Sequence, residues 1–416
     1  MADRGTREVD VVGSDVVDAL WDGAESLREP MVDFTRRLIQ TPSLPGEEGD
    51  VALIVADEMR RLDYDEVRID GAGNVIGCIR ATTASADGRP KRSIMFNTHM
   101  DHVDVGDPSR WPHPPYEGVV QDGEIWGRGA SDLKGALACH IYAGALLKRA
   151  GLPLPNDIYV VGVVQEEVSG LGSFVLAENL QTDYVILGEP SQNELALGHR
   201  GRVEVHVTIT GKSVHASVPN TGINPLYSMS KFLLAVQSLQ FEQDPQHPGL
   251  GPTSIAPTLL FTDQTSPNVV PGECRVVLDV RNTPMDTPEV VRQRVRELLD
   301  ASLEGGATGK VDIPPLTLTS YTGVAATLYG HEAFGIAPDS ELATRAVSAV
   351  SAALKRDVPT KMWRFATDAG HFTAKGVQVI GFGPGFEDVI HTVDERISIR
   401  MMVEGLVANA TLALAL

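Results

Sequence analysis

Acidic and histidine side chains stand at points along the chain where apolar segments stop. They are His99 after SIMFNT, the pair Glu166 and Glu167 after YVVGVVQ, Glu189 after DYVILG, His391 after VIGFGPG and a short loop, and Asp132 in GRGASDLKGAL, where a loop becomes a helix. In open α/β sheets, ligand sites lie outside the carboxyl ends of the strands. We therefore expect these side chains to converge at one edge of a sheet.

The charge of this set predicts a metal site. Asp132, Glu166, Glu167 and Glu189 have nothing positive among them and would repel one another strongly at low dielectric. Histidine and carboxylate ligands without cysteine suit Zn, Co or Mn. Two divalent ions with three ligating carboxylates would leave one positive charge, which suits holding a hydroxide and polarising a carbonyl. Ions about 3.5–4 Å apart also need one carboxylate able to bridge them.

Each feature alone has an ordinary structural explanation. The HxD sequence at His99 could be a structural pair, Asp132 could be only a helix N-cap, and Glu189 before Pro190 could be a turn residue. A histidine in HTVDE could lie on the surface, and a Glu-Glu pair at a strand end is usually solvated. The occurrence of all these features in order, each at a predicted strand or helix end, favours a single site.

The elements that must position these side chains fall into two patterns. Up to about residue 197, and again from 316 to 416, buried strands alternate with helices, which predicts an α/β fold with a mixed sheet covered by helices on both faces. From 201 to 211, GRVEVHVTITG alternates strictly and predicts a half-exposed antiparallel strand. This strand opens the order strand, helix, strand, strand, helix, and Pro288 stands at the start of the last helix. We predict a discontinuous catalytic domain, 1–197 and 316–416, with an inserted α+β ferredoxin-like domain at 198–315.

Composition limits the partners and the compartment. The 416 residues are 43% hydrophobic, enough for two or three globular domains, and the formal net charge is −20. This charge argues against nucleic acid or an anionic membrane surface as partner. Three widely spaced cysteines fit reduced core residues, and the polar N-terminus, MADRGTREVD, lacks the apolar segment of a signal peptide. We therefore expect a cytoplasmic protein.

Taken together, the strings HMD, GRGASDLKG, QEE, GEPS and HTVDE resemble the dinuclear zinc aminoacylase/carboxypeptidase family. That family includes acetylornithine deacetylase and succinyl-diaminopimelate desuccinylase, and the resemblance covers nearly the whole chain. YTGVAATLYGHEAF and GFGPG are most similar to a selenium-metabolism-linked hydrolase subgroup. The resemblance implies a homodimer joined through the inserted lid domain. It also implies two divalent metal ions, zinc or else cobalt or manganese, and hydrolysis of the amide bond of N-acyl amino acids or small peptides by a hydroxide that bridges them.

The resemblance also assigns roles to the residues at the predicted edge. It implies one zinc held by His99 and Glu189, a second held by Glu167 and His391, Asp132 bridging both, Asp101 orienting His99, and Glu166 as the general base. The residues alone do not say which of the two neighbouring glutamates is the base and which the ligand.

In the inserted domain and the last loop, the resemblance suggests substrate contacts. His215 in GKSVHAS would stabilise the oxyanion, often across a dimer interface, and Arg281 in LDVRNTP would bind a substrate carboxylate. The ordinary alternatives are a half-buried histidine at a strand end and a surface salt bridge. Asn268 could face the cleft, and Gly383 and Gly385 could present backbone N–H groups to a substrate carboxylate.

Other chemistries find little support in the sequence. HEAFG at 331–335 begins like HExxH but lacks the second histidine, and there is no GxSxG serine-hydrolase elbow. Two alternatives stay open: a carbamoyl or ureido amidohydrolase that uses the same site, and a catalytically silent metal-binding homologue.

Overall fold

A computed structural model describes residues 12–83 and 92–416 of the chain. The helices in this part are α1 Ser14–Ile39, α2 Gly49–Arg61, α3 Gly135–Ala150, α4 Leu171–Asn179, α5 Pro225–Ser238, α6 Pro288–Ser302, α7 Glu341–Leu354, α8 Ala369–Thr373 and α9 Ile399–Ala415. The strands are β1 Glu66–Ile69, β2 Val75–Ile79, β3 Ser93–His99, β4 Val119–Gln121, β5 Glu124–Trp126, β6 Asp157–Val163, β7 Tyr184–Leu187, β8 Leu195–His199, β9 Val203–Thr210, β10 Val214–His215, β11 Ser254–Thr262, β12 Val269–Val270, β13 Glu273–Arg281, β14 Thr308–Asp312, β15 Leu316–Thr319, β16 Ala325–Leu328, β17 Phe334–Gly335, β18 Thr360–Trp363, β19 Gln378–Gly381 and β20 Arg396–Ser398.

A mixed sheet forms the centre of the molecule. Its strand order is β1-β2-β6-β3-β7-β19-β8-β17, with β18 beside β8. β3 pairs in parallel with β6 and β7, and β19 pairs in parallel with β7, whereas β1 and β2 form an antiparallel hairpin at one edge. All four residues of β7 and six of seven in β3 are buried, as expected for strands covered on both faces. The predicted α/β class is confirmed.

Helices cover both faces of this sheet. On one side, α1, α3 and α9 pack against one another, and the apolar residues of α9 are almost all buried. On the other side, α4 and α8 contribute Leu176 and Phe372 to a second apolar cluster. α3 is apolar nearly all round because it lies in the core, and it ends at Gly151, whose φ of +62° suits a glycine C-cap.

A separate α+β layer follows β8. Its antiparallel sheet has the order β11-β13-β9-β14, and α5 and α6 pack on it around an apolar core of their own. β9 alternates buried with more exposed residues, as its sequence predicts. α6 begins at Pro288, and the side chain of Thr287 accepts a hydrogen bond from the Val290 N–H.

The final strand of this layer, β14, follows a glycine-containing turn and completes a βαββαβ order, which sequence analysis missed. The ferredoxin-like inserted layer is thus present, and the exact boundaries at 198 and 315 stay a prediction. The polar N-terminus used to predict the compartment lies outside the described residues. Within residues 12–83 and 92–416, no helix is long and apolar enough to span a membrane.

Candidate active site

Three neighbouring parallel strands bring the predicted residues to one edge of the main sheet. His99 is the last residue of β3, and Glu189 lies two residues beyond β7. Glu166 and Glu167 begin a single 3₁₀ turn just after β6. Because β6, β3 and β7 are adjacent and run in the same direction, their carboxyl ends place these side chains together.

Asp132 lies between two histidines. Its Oδ1 is 3.0 Å from His99 Nε2, and its Oδ2 is 3.1 Å from His391 Nε2. On the outer sides, Glu189 Oε1 lies 3.8 Å from His99 Nε2, and Glu167 Oε2 lies 3.1 Å from His391 Nε2. The arrangement is therefore two histidine–carboxylate pairs that share one central carboxylate.

Burial and mutual contacts shift the pKa values of the clustered side chains. Burial raises the pKa of Glu166 and of Glu189 well above the usual carboxyl range, and neighbouring carboxylates add to the effect. The contacts with Asp132 and Glu167 raise the pKa of His391 to about 10. Burial would also raise the pKa of Asp132, but contacts with His391 and His99 outweigh it and lower that pKa. Without a metal, protons on the histidines must supply the positive charge.

The donor set fits a divalent metal centre. Ligand atoms of His99, Asp132 and Glu167 lie within 4.8 Å of one another, and the same holds for His99, Glu166 and Glu189. His99, Asp132 and Glu189 are buried, so an uncompensated negative cluster would be costly there. Neutral imidazoles and carboxylates are the ligands that Zn, Co and Mn accept.

Two buried carboxylates hold the turn that carries Glu166 and Glu167. Asp101 accepts hydrogen bonds from the Glu166 and Glu167 N–H groups, both at 3.1 Å. Glu48 Oε1 accepts the N–H of Gln165 at 3.1 Å and that of Gly46 at 3.0 Å. Three successive N–H groups are thus fixed. Asp101 also contacts the second ring nitrogen of His99, Nδ1. Its carbonyl oxygen lies 3.0 Å from Nδ1, and its Oδ1 lies 3.6 Å from the same atom.

A third buried carboxylate holds the loop before α3. Glu395 Oε1 accepts the N–H groups of Ser131 and Asp132 at 3.2 and 3.1 Å, and its Oε2 forms an ion pair with Arg128 at 2.5 Å. The Arg128 guanidinium also lies over the Trp111 ring, 4.9 Å from its centroid. Asp132 is therefore positioned through its backbone as well as its side chain.

The three predicted substrate residues of the inserted layer have partners within that layer. His215 is exposed, and its Nδ1 contacts the Ser217 hydroxyl at 2.7 Å. Arg281 pairs with Asp279 at 2.8 Å, and the side chain of Asn268 contacts Ser266. Within the described ranges, no hydrogen bond or ion pair joins these three predicted residues to the metal-type cluster.

The backbone N–H groups of Gly383 and Gly385 have acceptors within the chain. The Gly383 N–H donates to Ser191 Oγ at 3.0 Å, and the Gly385 N–H donates to Met401 Sδ at 3.2 Å. The carbonyl oxygens of both glycines also accept backbone N–H groups from residues 191–193, which follow Glu189. Their contact with a substrate carboxylate stays a prediction, and it would require each N–H group to exchange its present acceptor.

Sequence analysis missed several residues around the cluster. Glu48 lies in GEEG and Glu395 in HTVDE, but a single sequence gives no sign that their carboxylates accept hydrogen bonds from backbone N–H groups. His331 was noted only in a rejected HExxH-like motif, and Asp368 was not noted. Both have ligand atoms within 4.8 Å of Glu166.

Comparison with known proteins agrees with this geometry. Residues 95–415 match peptidase family M20/M25/M40. The uncharacterized protein YgeY of Escherichia coli K12 is 29% identical over 381 residues, covering 90% of this chain and 91% of its own. Succinyl-diaminopimelate desuccinylase of Hydrogenovibrio crunogenus is 26% identical over 389 residues, covering 88% and 94%.

Solved structures show the same fold at low sequence identity. Aminopeptidase PepT from Bacillus cereus superimposes with a TM-score of 0.72 at 20% identity, covering 94% of this chain and 99% of its own. The dinuclear metal-binding peptidase YXEP from Bacillus subtilis gives 0.70 at 14% identity, covering 94% and 98%. The chain belongs to peptidase family M20/M25/M40. It is therefore a metal-dependent hydrolase of peptide or amide bonds, as predicted.

Proposed function

We propose that the chain hydrolyses the amide bond of N-acyl amino acids or small peptides at a centre of two zinc ions. The observation that carries this proposal is Asp132, whose two carboxylate oxygens face two different histidines at 3.0 and 3.1 Å. One ion would be held by His99 and Glu189, the other by Glu167 and His391. When bound, such ions polarise an amide carbonyl and make water acidic enough to attack it.

The proposed role of Glu166 is proton transfer. Its carboxylate is buried at the same strand edge, while its backbone N–H is fixed by Asp101 at 3.1 Å. From this position it takes a proton from the attacking water and delivers it to the leaving amine nitrogen. Burial raises the pKa of Glu166, which favours holding that proton between the two steps.

The inserted layer supplies the remaining proposed contacts. His215 would stabilise the oxyanion and Arg281 would bind a substrate carboxylate, with Asn268 beside them. Arg281 is held by Asp279 in this structure, so substrate binding requires the guanidinium to exchange that partner. His215 is exposed and its ring contacts Ser217, and no hydrogen bond joins it to the metal-type cluster among the described residues. We therefore propose that it acts in the active site of a second subunit.

The homodimer proposal rests on an exposed sheet edge. β11 is one of the two outer strands of the inserted sheet and pairs only with β13 among the described residues. Leu259 and Leu260 on it are each 54% exposed. An exposed apolar edge strand is a template for pairing with another chain. Leu260→Lys should shift the protein toward monomer in analytical ultracentrifugation, whereas Leu316→Lys, at an exposed leucine of the β15 hairpin, should not.

A substrate panel tests the proposed reaction. Acetyl, succinyl, formyl and carbamoyl amino acids and dipeptides, assayed with Zn, Co or Mn, would separate the deacylase and peptidase activities from the carbamoyl or ureido alternative. Absence of turnover across the panel would favour the silent homologue.

The matched pair Glu166→Gln and Glu167→Gln then tests the assignment of roles. Glu166→Gln should keep both metals and lose turnover, while Glu167→Gln should lose metal first. The opposite result would reverse the two roles. Metal analysis should find close to two equivalents, and a single equivalent would contradict the bridging role of Asp132.

Subunit exchange tests the role of His215. A mixture of His215→Ala and Glu166→Ala proteins should recover part of the activity, because a mixed dimer contains one site with both groups intact. No recovery in a demonstrated mixed dimer would contradict action across the interface.

A further inference from the structure

Glu166 also belongs to a second cluster of side chains that could ligate a metal. Ligand atoms of Glu166, His331 and Asp368 are all within 4.8 Å of one another. Asp368 and His331 are not among the residues that the two proposed zinc positions use. His331 precedes β17 and Asp368 precedes α8, so the cluster joins parts of the chain that are far apart in sequence.

The Asp368 carboxylate is buried and lacks hydrogen-bond partners. It is 1% exposed, and neither carboxylate oxygen has a hydrogen-bond partner among the described residues. Within residues 12–83 and 92–416, no lysine or arginine lies at ion-pair distance from it, and His371 Nε2 is 4.0 Å from its Oδ1. Burial raises the pKa of Asp368, and the nearby His371 ring and Ser173 hydroxyl offset only part of that rise. A buried carboxylate without compensation is costly, and a bound cation would remove that cost.

His331 is prepared to act as a ligand. Burial lowers its pKa to about 3, so the ring is neutral, and the Glu166 backbone contacts it. Its Nε2 has no hydrogen-bond partner among the described residues. A metal-bound histidine commonly donates its second ring N–H to a backbone carbonyl, which leaves the other nitrogen free for the ion.

A small cavity borders the cluster at His331. A cavity of about 100 Å³ is lined by His331 and His371, with Phe174 and Tyr329 among its other walls. Gly170 comes close to the cluster from another side. A Cβ atom there would lie 2.0 Å from Asp368 Oδ1 and 2.7 Å from His371 Nε2, so only glycine leaves the carboxylate room.

We propose that Asp368, His331 and Glu166 form a third divalent-cation site, weaker than the dinuclear centre. One neutral imidazole and two carboxylates suit Zn, Co or Mn, and two negative charges balance the charge of one such ion. Occupancy of this site ties the Glu166 carboxylate to a cation. If Glu166 is the proton carrier, which rests on the proposed function, excess metal therefore inhibits turnover.

Metal stoichiometry tests the site without reference to activity. Purified protein dialysed against rising Co²⁺ should bind two equivalents tightly and a third at higher free Co²⁺, measured by metal analysis. Asp368→Asn and His331→Gln should each weaken the third equivalent by at least about tenfold and keep the first two. Retention of the two tight equivalents also shows that the variant is folded. If Asp368→Asn does not fold, the result for His331→Gln tests the proposal alone.

His247→Gln provides the matched control, since His247 Nδ1 pairs with Asp244 at 2.8 Å within the inserted layer. This variant should bind three equivalents like the wild type. Only two equivalents in the wild type at every Co²⁺ concentration, or a third equivalent that survives both Asp368→Asn and His331→Gln, would overturn the proposal. Either result leaves the two-metal hydrolase intact, whereas three equivalents without turnover of any substrate would refute the hydrolase and leave the third site standing.

Discussion

Asp101→Asn should separate metal affinity from general folding stability. The Asp101 carboxylate is fully buried, accepts two backbone N–H groups at 3.1 Å and lies 3.6 Å from the ring of His99. Asparagine has the same shape but only one side-chain oxygen. Its NH₂ group therefore faces one of the two backbone N–H groups, and two donors cannot form a hydrogen bond. The turn that carries the proposed ligand Glu167 then loses its fixed orientation, while the Asp101 carbonyl oxygen, 3.0 Å from His99 Nδ1, is unchanged.

The expected magnitude follows from these contacts. A hydrogen bond to a charged acceptor contributes about 1.5–3 kcal/mol, and Asp101→Asn removes one and weakens another. Loss of the partner that orients a metal ligand typically lowers metal affinity by about 10–100-fold. Burial raises the pKa of Asp101 to about 8, so the assay belongs above that pH, where the carboxylate is ionised even without metal. Metal affinity is measured by competition with a coloured chelator.

Asp244→Asn supplies the control for this experiment. Asp244 is also a buried carboxylate beside a histidine: its Oδ1 accepts the Gln246 N–H at 2.9 Å, and its Oδ2 lies 2.8 Å from His247 Nδ1, within the inserted layer. Its replacement should lower the free energy of unfolding and leave metal affinity unchanged. If Asp101→Asn binds metal as tightly as the wild type, or Asp244→Asn loses affinity equally, the positioning role of Asp101 is refuted.

Three further outcomes are expected. Arg61, Tyr142 and Arg37 contacts lower the pKa of Glu58 despite its burial, so its stabilising effect is complete above the unfolded pKa of 4.5 and is lost as pH falls through the lower folded value. Glu58→Gln should therefore lower the free energy of unfolding by about 1–3 kcal/mol at neutral pH, and urea titrations should show this difference shrinking below pH 4.5. Gly170→Ala should lower the free energy of unfolding clearly more than Gly376→Ala. Both glycines have a positive φ, +76° and +79°, but a Cβ atom at 376 meets nothing within 4 Å. Gly376→Ala should therefore cost only the strain of the backbone, about 1–2 kcal/mol. Chelation of the metal should lower the melting temperature in calorimetry, with about 2.7 kcal/mol lost per site relative to metal held at about 100 times its dissociation constant; an unchanged melting temperature would argue against metal-linked folding.

Local pattern was enough to predict most of the fold. The apolar runs of β3, β6 and β7 mark strands covered on both faces, and the alternation of β9 marks a sheet with one exposed face. Gly151 and Pro288 fixed the ends of their helices by local conformational preference. β14 escaped prediction because its five residues follow a glycine turn and become a strand only by pairing with β9.

The sequence by itself determined which ligand types stand at the strand ends. Because parallel strands share one carboxyl edge, residues such as His99 and Glu189 had to meet there. Only the tertiary structure decided that the two oxygens of Asp132 face different histidines, since the orientation of that carboxylate depends on a backbone held from the far end of the chain by Glu395. The meeting of Asp368 with Glu166 was likewise decided by packing, because no local periodicity encodes contacts between residues so distant in sequence.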